Sequence, residues 1–320
     1  MIKLIQESID RCQLSLSGAV VLTEAATGAY AVTPVIAAMA GASRVYAVAK
    51  STQYGSSAEV ARQTNELAKQ GGVSGRIRIV KRATKDIVGA ADIITNSGHV
   101  RPLDAQKIRW MKPSAIIPLM YEAWEFRAKD VDLDACRRKG VRVLGTNEQH
   151  PQIDVFGYLG ELAMKQLMDA GISAYKSKIL LLSDNNFCPY ISRTLVRAGA
   201  SVDIGIGLEK MDMADGYDAI LLAMSPRRGF SLSAKEVRQI RRRWPGTVLM
   251  QFFGDVDRRA CRKDGMLVWP REEPARGHMG ILPAAIGPES TIRLQTGGFK
   301  AAEAAGRPDC RAMQAYVQEL

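Results

Sequence analysis

The feature that most constrains this chain is its alternation. Short apolar runs, many of them β-branched, recur along most of its length, and segments with apolar residues at helical spacing lie between them. Strand, helix, strand in close succession gives parallel neighbours joined by right-handed crossovers. Such a sheet must be covered on both faces. Strands are expected at 19–22, 44–49, 76–80, 92–96, 115–119 and 141–144. Helices are expected at 3–16, 30–41, 57–70, 84–89, 103–111 and 132–139. Six strands with helices between them make a doubly wound sheet. Residues 154–170 read as a longer connecting helix that stops at Gly171, and then the pattern restarts. Strands follow at 178–182, 201–204, 219–224 and 247–252, with helices up to Gly199 and at 233–243. Residues 270–290 are rich in Gly and Pro, and 291–305 read as a helix that packs back on the body.

The expected fold is therefore α/β, with two doubly wound Rossmann-like domains, parallel sheets and an inter-domain cleft. Residues 1–153 would bind a cofactor. Residues 154–320, with the C-terminal helix, would form the substrate domain. A length of 320 residues suits two cores of ~150 residues each.

Composition narrows the function classes. The longest apolar stretch, 29–42, contains Pro34 and is shorter than the ~20 residues that cross a bilayer. Met1-Ile2-Lys3-Leu4 opens no secretory h-region, so a cytoplasmic location is expected. Cys12, Cys136, Cys188, Cys261 and Cys310 form no C-x-x-C pair, so reduced thiols are expected rather than a zinc ribbon or a disulfide framework. The net charge is +11, with arginines concentrated at Arg227-Arg228, Arg238, Arg241-Arg242-Arg243, Arg258-Arg259 and Arg262. These read first as a solvated face, next as a site for an anion or acidic partner. Nucleic acid comes last, since no aromatics interleave the arginines. A homodimer is compatible with this reading.

One stretch carries a family likeness. Ala91-Asp92-Ile93-Ile94-Thr95-Asn96-Ser97-Gly98-His99-Val100-Arg101-Pro102-Leu103-Asp104, then Met111-Lys112-Pro113-Ser114-Ala115-Ile116-Ile117 and 132–143, resembles the NAD-binding domain of D-2-hydroxyacid dehydrogenases and S-adenosylhomocysteine hydrolases. The resemblance covers about residues 18–150. It implies a Rossmann domain and NADP or NAD as cofactor. Three features depart from that pattern. The first turn is Glu24-Ala25-Ala26-Thr27-Gly28 and not G-x-G-x-x-G. The second strand ends in Lys50-Ser51-Thr52, with no acidic residue for a ribose diol. Those dehydrogenases also insert the cofactor domain into a split substrate domain, and their Arg/Glu/His set finds no matching positions here.

Ligands of open parallel sheets lie beyond the carboxyl ends of the strands, so the residues there are the candidates. Glu24, Thr27 and Gly28 form a turn into a helix, where free N–H groups suit a phosphate, though Glu24 would repel one. Glu24 could instead hold a ribose or an amine, and an ordinary βα turn explains the same residues. Lys50, Ser51 and Thr52 suit a 2′-phosphate, leaning toward NADP, although capping by Ser56 or Ser57 accounts for part of that segment. Asn96 and Ser97 complete the cofactor set. His99 and His150 follow the fourth and sixth strands and are the candidates for general acid or base. Glu122 or Glu148 would orient them. Tyr121, Asp184, Asn186, Arg227 and His278 are the substrate candidates. Exposed or purely structural roles compete for each. No ligand spacing supports a metal site.

The function expected is a NAD(P)-dependent oxidoreductase of biosynthetic type acting on a small anionic metabolite. The alternatives are a transferase or lyase using a nucleotide sugar or S-adenosylmethionine, or a non-catalytic binding protein.

Overall fold

The apolar runs become strands because a sheet buried on both faces leaves no polar face to alternate with. In this computed structural model, residues 1–208, 216–307 and 311–320 are described, and Cys310 lies outside them. The chain divides into two compact units, Met1–Val155 with Gly287–Leu320, and Phe156–Ile286.

The first unit opens with α1 (Ile2–Cys12) and β1 (Val20–Glu24). It continues through α2 (Val32–Met39), β2 (Arg44–Val48), α3 (Ser57–Gln70), β3 (Ile77–Val80), α4 (Lys85–Ala90) and β4 (Ile93–Ile94). Then come α5 (Ala105–Trp110), β5 (Ile116–Pro118), α6 (Leu133–Lys139) and β6 (Arg142–Thr146). Helix starts are set by short polar caps: Ser56 accepts from Glu59 N, Asp104 from Lys107 N and Asp132 from Ala135 N.

The second unit runs α7 (Leu159–Asp169), β7 (Lys178–Leu182), α8 (Cys188–Arg197), β8 (Ser201–Gly205), β9 (Ala219–Ala223), α9 (Ala234–Arg243), β10 (Val248–Phe253), α10 (Arg258–Lys263) and β11 (Val268–Trp269). The chain then returns to the first unit with α11 (Glu289–Ala305), α12 (Arg311–Gln314) and β12 (Val317–Glu319).

The first sheet has the order β12-β6-β5-β4-β1-β2-β3. Its six parallel strands follow the doubly wound dinucleotide order, 3-2-1-4-5-6, and β12 adds an antiparallel edge on β6. The second sheet, β11-β10-β9-β7-β8, is parallel in the order 2-1-3-4-5, the flavodoxin-like variant. Its central strand β9 is buried throughout, while no residue of the edge strand β8 is fully buried. Both sheets are thus doubly wound and parallel in their main body, as expected.

Several details correct the sequence reading. α11, expected with the second half, packs on α1, α2, β5 and β6 of the first unit. Nearly all its residues are buried, so it covers the sheet as a core helix. Gly298 permits the close approach, since a Cβ there would lie 2.4 Å from Met120 Sδ. The helix expected at 154–170 begins only at Leu159. α1 stops at Cys12 because Gln13 turns left-handed at φ 47° and its N–H closes on Asp10. The strand expected at 92–96 shortens to Ile93–Ile94, although Thr95 N and Asn96 N still donate to the Leu22 and Pro118 carbonyls of the flanking strands. β11 and β12 are too short for a periodicity to show. Among the described residues, no helix is long and apolar enough to cross a membrane.

Candidate functional site

In this strand order β1 and β4 are neighbours from which the chain leaves in opposite directions, so their carboxyl ends form the switch point of the sheet. Glu24 ends β1 and reaches across it. Its Oε2 accepts the His99 N–H at 3.2 Å, and the Gly98 N–H faces the same carboxylate. A Cβ on residue 98 would sit 2.4 Å from Oε2, so glycine is what admits the carboxylate. Burial pushes the Glu24 carboxyl up, while the two amides, His99 and Arg101 pull it back. Tyr30 is pushed up to about 12, by burial first and then by the Glu24 charge.

The His99 ring places Nδ1 3.1 Å from the Val48 carbonyl at the end of β2. A carbonyl can only accept, so Nδ1 carries the hydrogen in the neutral ring and Nε2 holds the lone pair. Behind it, Thr95 Oγ1 bonds Thr23 Oγ1 at 2.8 Å and Ser97 Oγ at 2.7 Å. Asn96 is fully buried and donates Nδ2 to the Tyr121 hydroxyl at 2.7 Å. Its Oδ1 has no partner among the described residues. Arg101 grips the Asn96 carbonyl at 2.9 and 3.2 Å and pairs with Asp130 at 3.4 Å. Tyr121 lies under the Arg127 guanidinium. The loop after β4 is therefore held from both sides.

The β1–α2 turn passes through a short 3-10 turn, Gly28–Ala31, and no side chain of its own caps either helical start. Gly28 has φ 59° and open space where a Cβ would stand. Its N–H donates to Gln63 Oε1 at 2.7 Å. Thr27 Oγ1 donates to the Tyr54 carbonyl at 3.3 Å. At the end of β2, Lys50 is exposed. Ser51 Oγ accepts Ser57 N, and Thr52 Oγ1 accepts Tyr54 N, which leaves both hydroxyl hydrogens able to donate.

The other expected catalytic groups lie elsewhere in this unit. Glu122, 1% exposed, accepts Trp124 Nε1 at 2.6 Å and is surrounded by Gln149, Gln318 and the Glu148 N–H. Glu148 is buried and pushed well up, by burial first and then by Glu125 and Glu122. Glu125 rises to about 7 for the same first reason, with Glu122 adding to it and Arg127 opposing. These are three carboxylates crowded where β5 and β6 end. His150 instead stacks on Tyr316 at 3.9 Å, and its Nδ1 accepts Gln152 N at 3.3 Å. Burial lowers its pKa. The expected pairing of Glu122 or Glu148 with a histidine is thus corrected. The carboxylates face each other and an indole, whereas the rings bond backbone groups. The side chains brought together are Glu24 with His99, Asn96 with Tyr121, and Glu122 with Glu148.

In the second unit, Asp184 and Asn186 are exposed beyond β7, and Asp184 Oδ1 accepts Ser225 N at 2.7 Å. Arg227 Nη2 donates to the Ser231 carbonyl at 3.0 Å. His278 lies in a turn, with its N–H on the Ala275 carbonyl at 3.0 Å. Sequence reasoning missed Arg101, Gln63 and Glu125. Arg101 stands two residues beyond His99, so a wider window around that histidine would have included it. Gln63 and Glu125 carry no local signal. Among the described residues, no group of three or more His, Cys, Asp and Glu side chains is arranged to hold a metal ion.

No family model matches the sequence, and no curated protein matches it. Solved structures do. A dipicolinate synthase structure from Bacillus halodurans is similar at 12% identity and TM-score 0.56, over 88% of this chain and 96% of that one. The corresponding dipicolinate synthase chain from Bacillus subtilis is similar at 11% identity and TM-score 0.55, over 95% and 99%. The pyruvate reductase of Chlamydomonas reinhardtii is similar at 13% identity and TM-score 0.52, over 90% and 96%. At these identities the likeness is one of fold. The resemblance of residues 18–150 to a dehydrogenase Rossmann domain stands at that level.

Proposed function

We propose that this chain is a NAD(P)-dependent oxidoreductase acting on a small anionic metabolite, with NADP(H) favoured. The observation that carries the reading is the meeting of His99 and Glu24 where β1 and β4 end, with the orphaned acceptor of Asn96 in the same loop after β4. A buried acceptor without a partner is rare in proteins and fits a ligand that donates there. The start of the Gly28–Ala31 turn also fits a phosphate. Its N–H groups have no side-chain cap of their own, and Gln63, which holds one of them, is a neutral side chain that an anion would displace. The fold shared with dipicolinate synthase and a pyruvate reductase supports the same reading.

In this proposal the 28–31 amides hold the pyrophosphate, and Lys50, Ser51 and Thr52 hold a 2′-phosphate. Asn96 Oδ1 accepts from the carboxamide or ribose. A dinucleotide held there would supply or take up a hydride. His99 Nε2 exchanges the matching proton with the substrate oxygen, because Nδ1 is committed to Val48 O. Glu24 stabilises the imidazolium and anchors the loop. Tyr121 and Arg101 hold Asn96 in place. His150 is left a packing role against Tyr316.

The test is a fluorescence titration with NADPH and NADH. NADPH binding in the micromolar range is expected, and Lys50→Glu should weaken NADPH by about tenfold while sparing NADH, as the loss of one exposed charge-assisted phosphate contact implies. Absence of binding by either nucleotide refutes the proposal. The second reading, a transferase or lyase, draws on Glu24 standing where a glycine motif would be. Thermal stabilisation by S-adenosylmethionine or a nucleotide sugar, and not by NADPH, would select it.

A further inference from the structure

The second unit has a cavity of its own at the switch point of its sheet. In the order 2-1-3-4-5 that point lies between β7 and β9. There, Leu182 from the end of β7, Ile204 and Gly205 from β8, and Met224 just past β9 line a cavity of about 590 Å³. That volume falls within the ~300–1,000 Å³ of small-molecule sites. Its remaining walls are the 206–208 segment, the 231–232 segment and the first turns of α9.

Three observations define what it would take. First, the floor is apolar: Leu182, Leu208, Met224 and Leu232 are buried there, while Ile204 and Ile206 are 53% and 78% exposed. Apolar side chains left open to water beside a concave surface mark a ligand or partner site. Second, two cations line it, Arg227 and Lys235. The lining carboxylate, Glu236, is turned to the capping box, where it accepts Ser233 N at 2.9 Å and the Ser233 hydroxyl. The excess charge is positive. Third, Ser231 is 5% exposed and lines the cavity, and its Oγ has no partner among the described residues. A buried hydroxyl without a partner is destabilising, and a ligand oxygen would satisfy it.

We propose that this cavity binds an amphipathic organic anion: an apolar body against the leucines and isoleucines, and one carboxylate or phosphate head toward Arg227, Lys235 and Ser231. The site is built from the second unit alone and does not depend on the cofactor reading above. A substrate and an effector of this chemistry would bind alike, and the arms of the test separate them.

Octanoate is the probe, with octyl phosphate as the other anionic head and octanol as the neutral control, each titrated into the full chain by calorimetry. Saturable binding of octanoate or octyl phosphate, with octanol at least about tenfold weaker, is expected from one desolvated charge-assisted contact. Lys235→Glu and Ile206→Glu should each weaken the anions by about tenfold or more. Ile206 is exposed, so that variant tests the site without a folding penalty. Ser231→Ala should weaken them by a few fold, the size of one hydrogen bond. NADPH titration of the same variants is the second readout. Octanoate binding that leaves NADPH affinity unchanged marks an independent site, whereas mutual strengthening or weakening marks a ligand that acts with the cofactor. No saturable anion binding, or binding equal in wild type and both glutamate variants, overturns the proposal whatever NADPH does.

Discussion

Glu148→Gln should stabilise this protein above neutral pH and leave it unchanged near pH 4.5. Glu148, Glu122 and Glu125 sit together where β5 and β6 end, and burial raises all three. A carboxyl whose folded pKa lies above its unfolded one holds its proton more tightly in the fold. Stability is then greatest below the unfolded value and is lost as pH rises through the folded one. For Glu125 the window runs from 4.5 to about 7. At about 1.4 kcal/mol per pH unit, and discounted for its partial exposure, that is roughly 2–3 kcal/mol lost across the window. Glutamine at 148 removes one buried charge and keeps an oxygen to accept the Glu122 N–H that its carboxylate faces. It also relieves Glu125 and Glu122. His150, lowered by burial, acts in the opposite sense below 6.5, so the informative quantity is the difference between variant and wild type. Urea unfolding followed by tryptophan fluorescence, from pH 4.5 to 8.5, measures it. The variant should gain about 1–3 kcal/mol at pH 8 and nothing at pH 4.5. A difference that is flat across this range, or a variant less stable at pH 8, would refute the argument that these carboxylates are strained when ionised.

Two further perturbations probe how the first unit is held together. Gly298→Ala places a Cβ 2.4 Å from Met120 Sδ and 3.3 Å from Met120 Cα, and should lower the unfolding free energy by about 1–3 kcal/mol, as overpacking does, in the same urea assay. Lys300→Met removes the nearer of two cations at the buried Glu303, at 2.9 Å, and leaves Arg307 at 3.5 Å and the Ser15 N–H at 3.1 Å, so it should cost about 1–3 kcal/mol. Lys300→Met with Glu303→Leu should recover most of that loss, and thermal unfolding of the single and double variants checks it.

The main strands were legible because they are buried on both faces, which leaves an uninterrupted apolar signal. Ala219–Ala223 is buried at every position, and its run of apolar residues admits little else. The helix expected at 233–243 is α9, whose start is fixed by a capping box of Ser233 and Glu236. What could not be read were pairings decided far along the chain. Val317–Glu319 is a tripeptide with a single apolar residue that pairs as a strand on the edge of β6. α11 reads as a helix of the second half that packs back on the body, yet Thr33 and Gln295 meet at 3.1 Å across 262 residues. No local periodicity encodes which of two sheets a helix covers.

The site divides along the same line. Strand order alone brings Glu24, Asn96 and His99 to neighbouring strand ends. Glu122 and Glu148 also follow strands, but they turn toward each other. The difference lies in the neighbours. Glu24 meets backbone amides that tolerate an ionised carboxylate, whereas Glu122 and Glu148 meet a second and a third carboxylate. In sequence all of them are the same residue type after an apolar run. Which becomes a loop anchor beside a histidine and which a crowded acid is settled by Gly98. Without a Cβ at that position the β4 loop can close to hydrogen-bond distance of Glu24. Alanine there would crowd the carboxylate off the His99 amide and leave Glu24 a buried acid short of a donor.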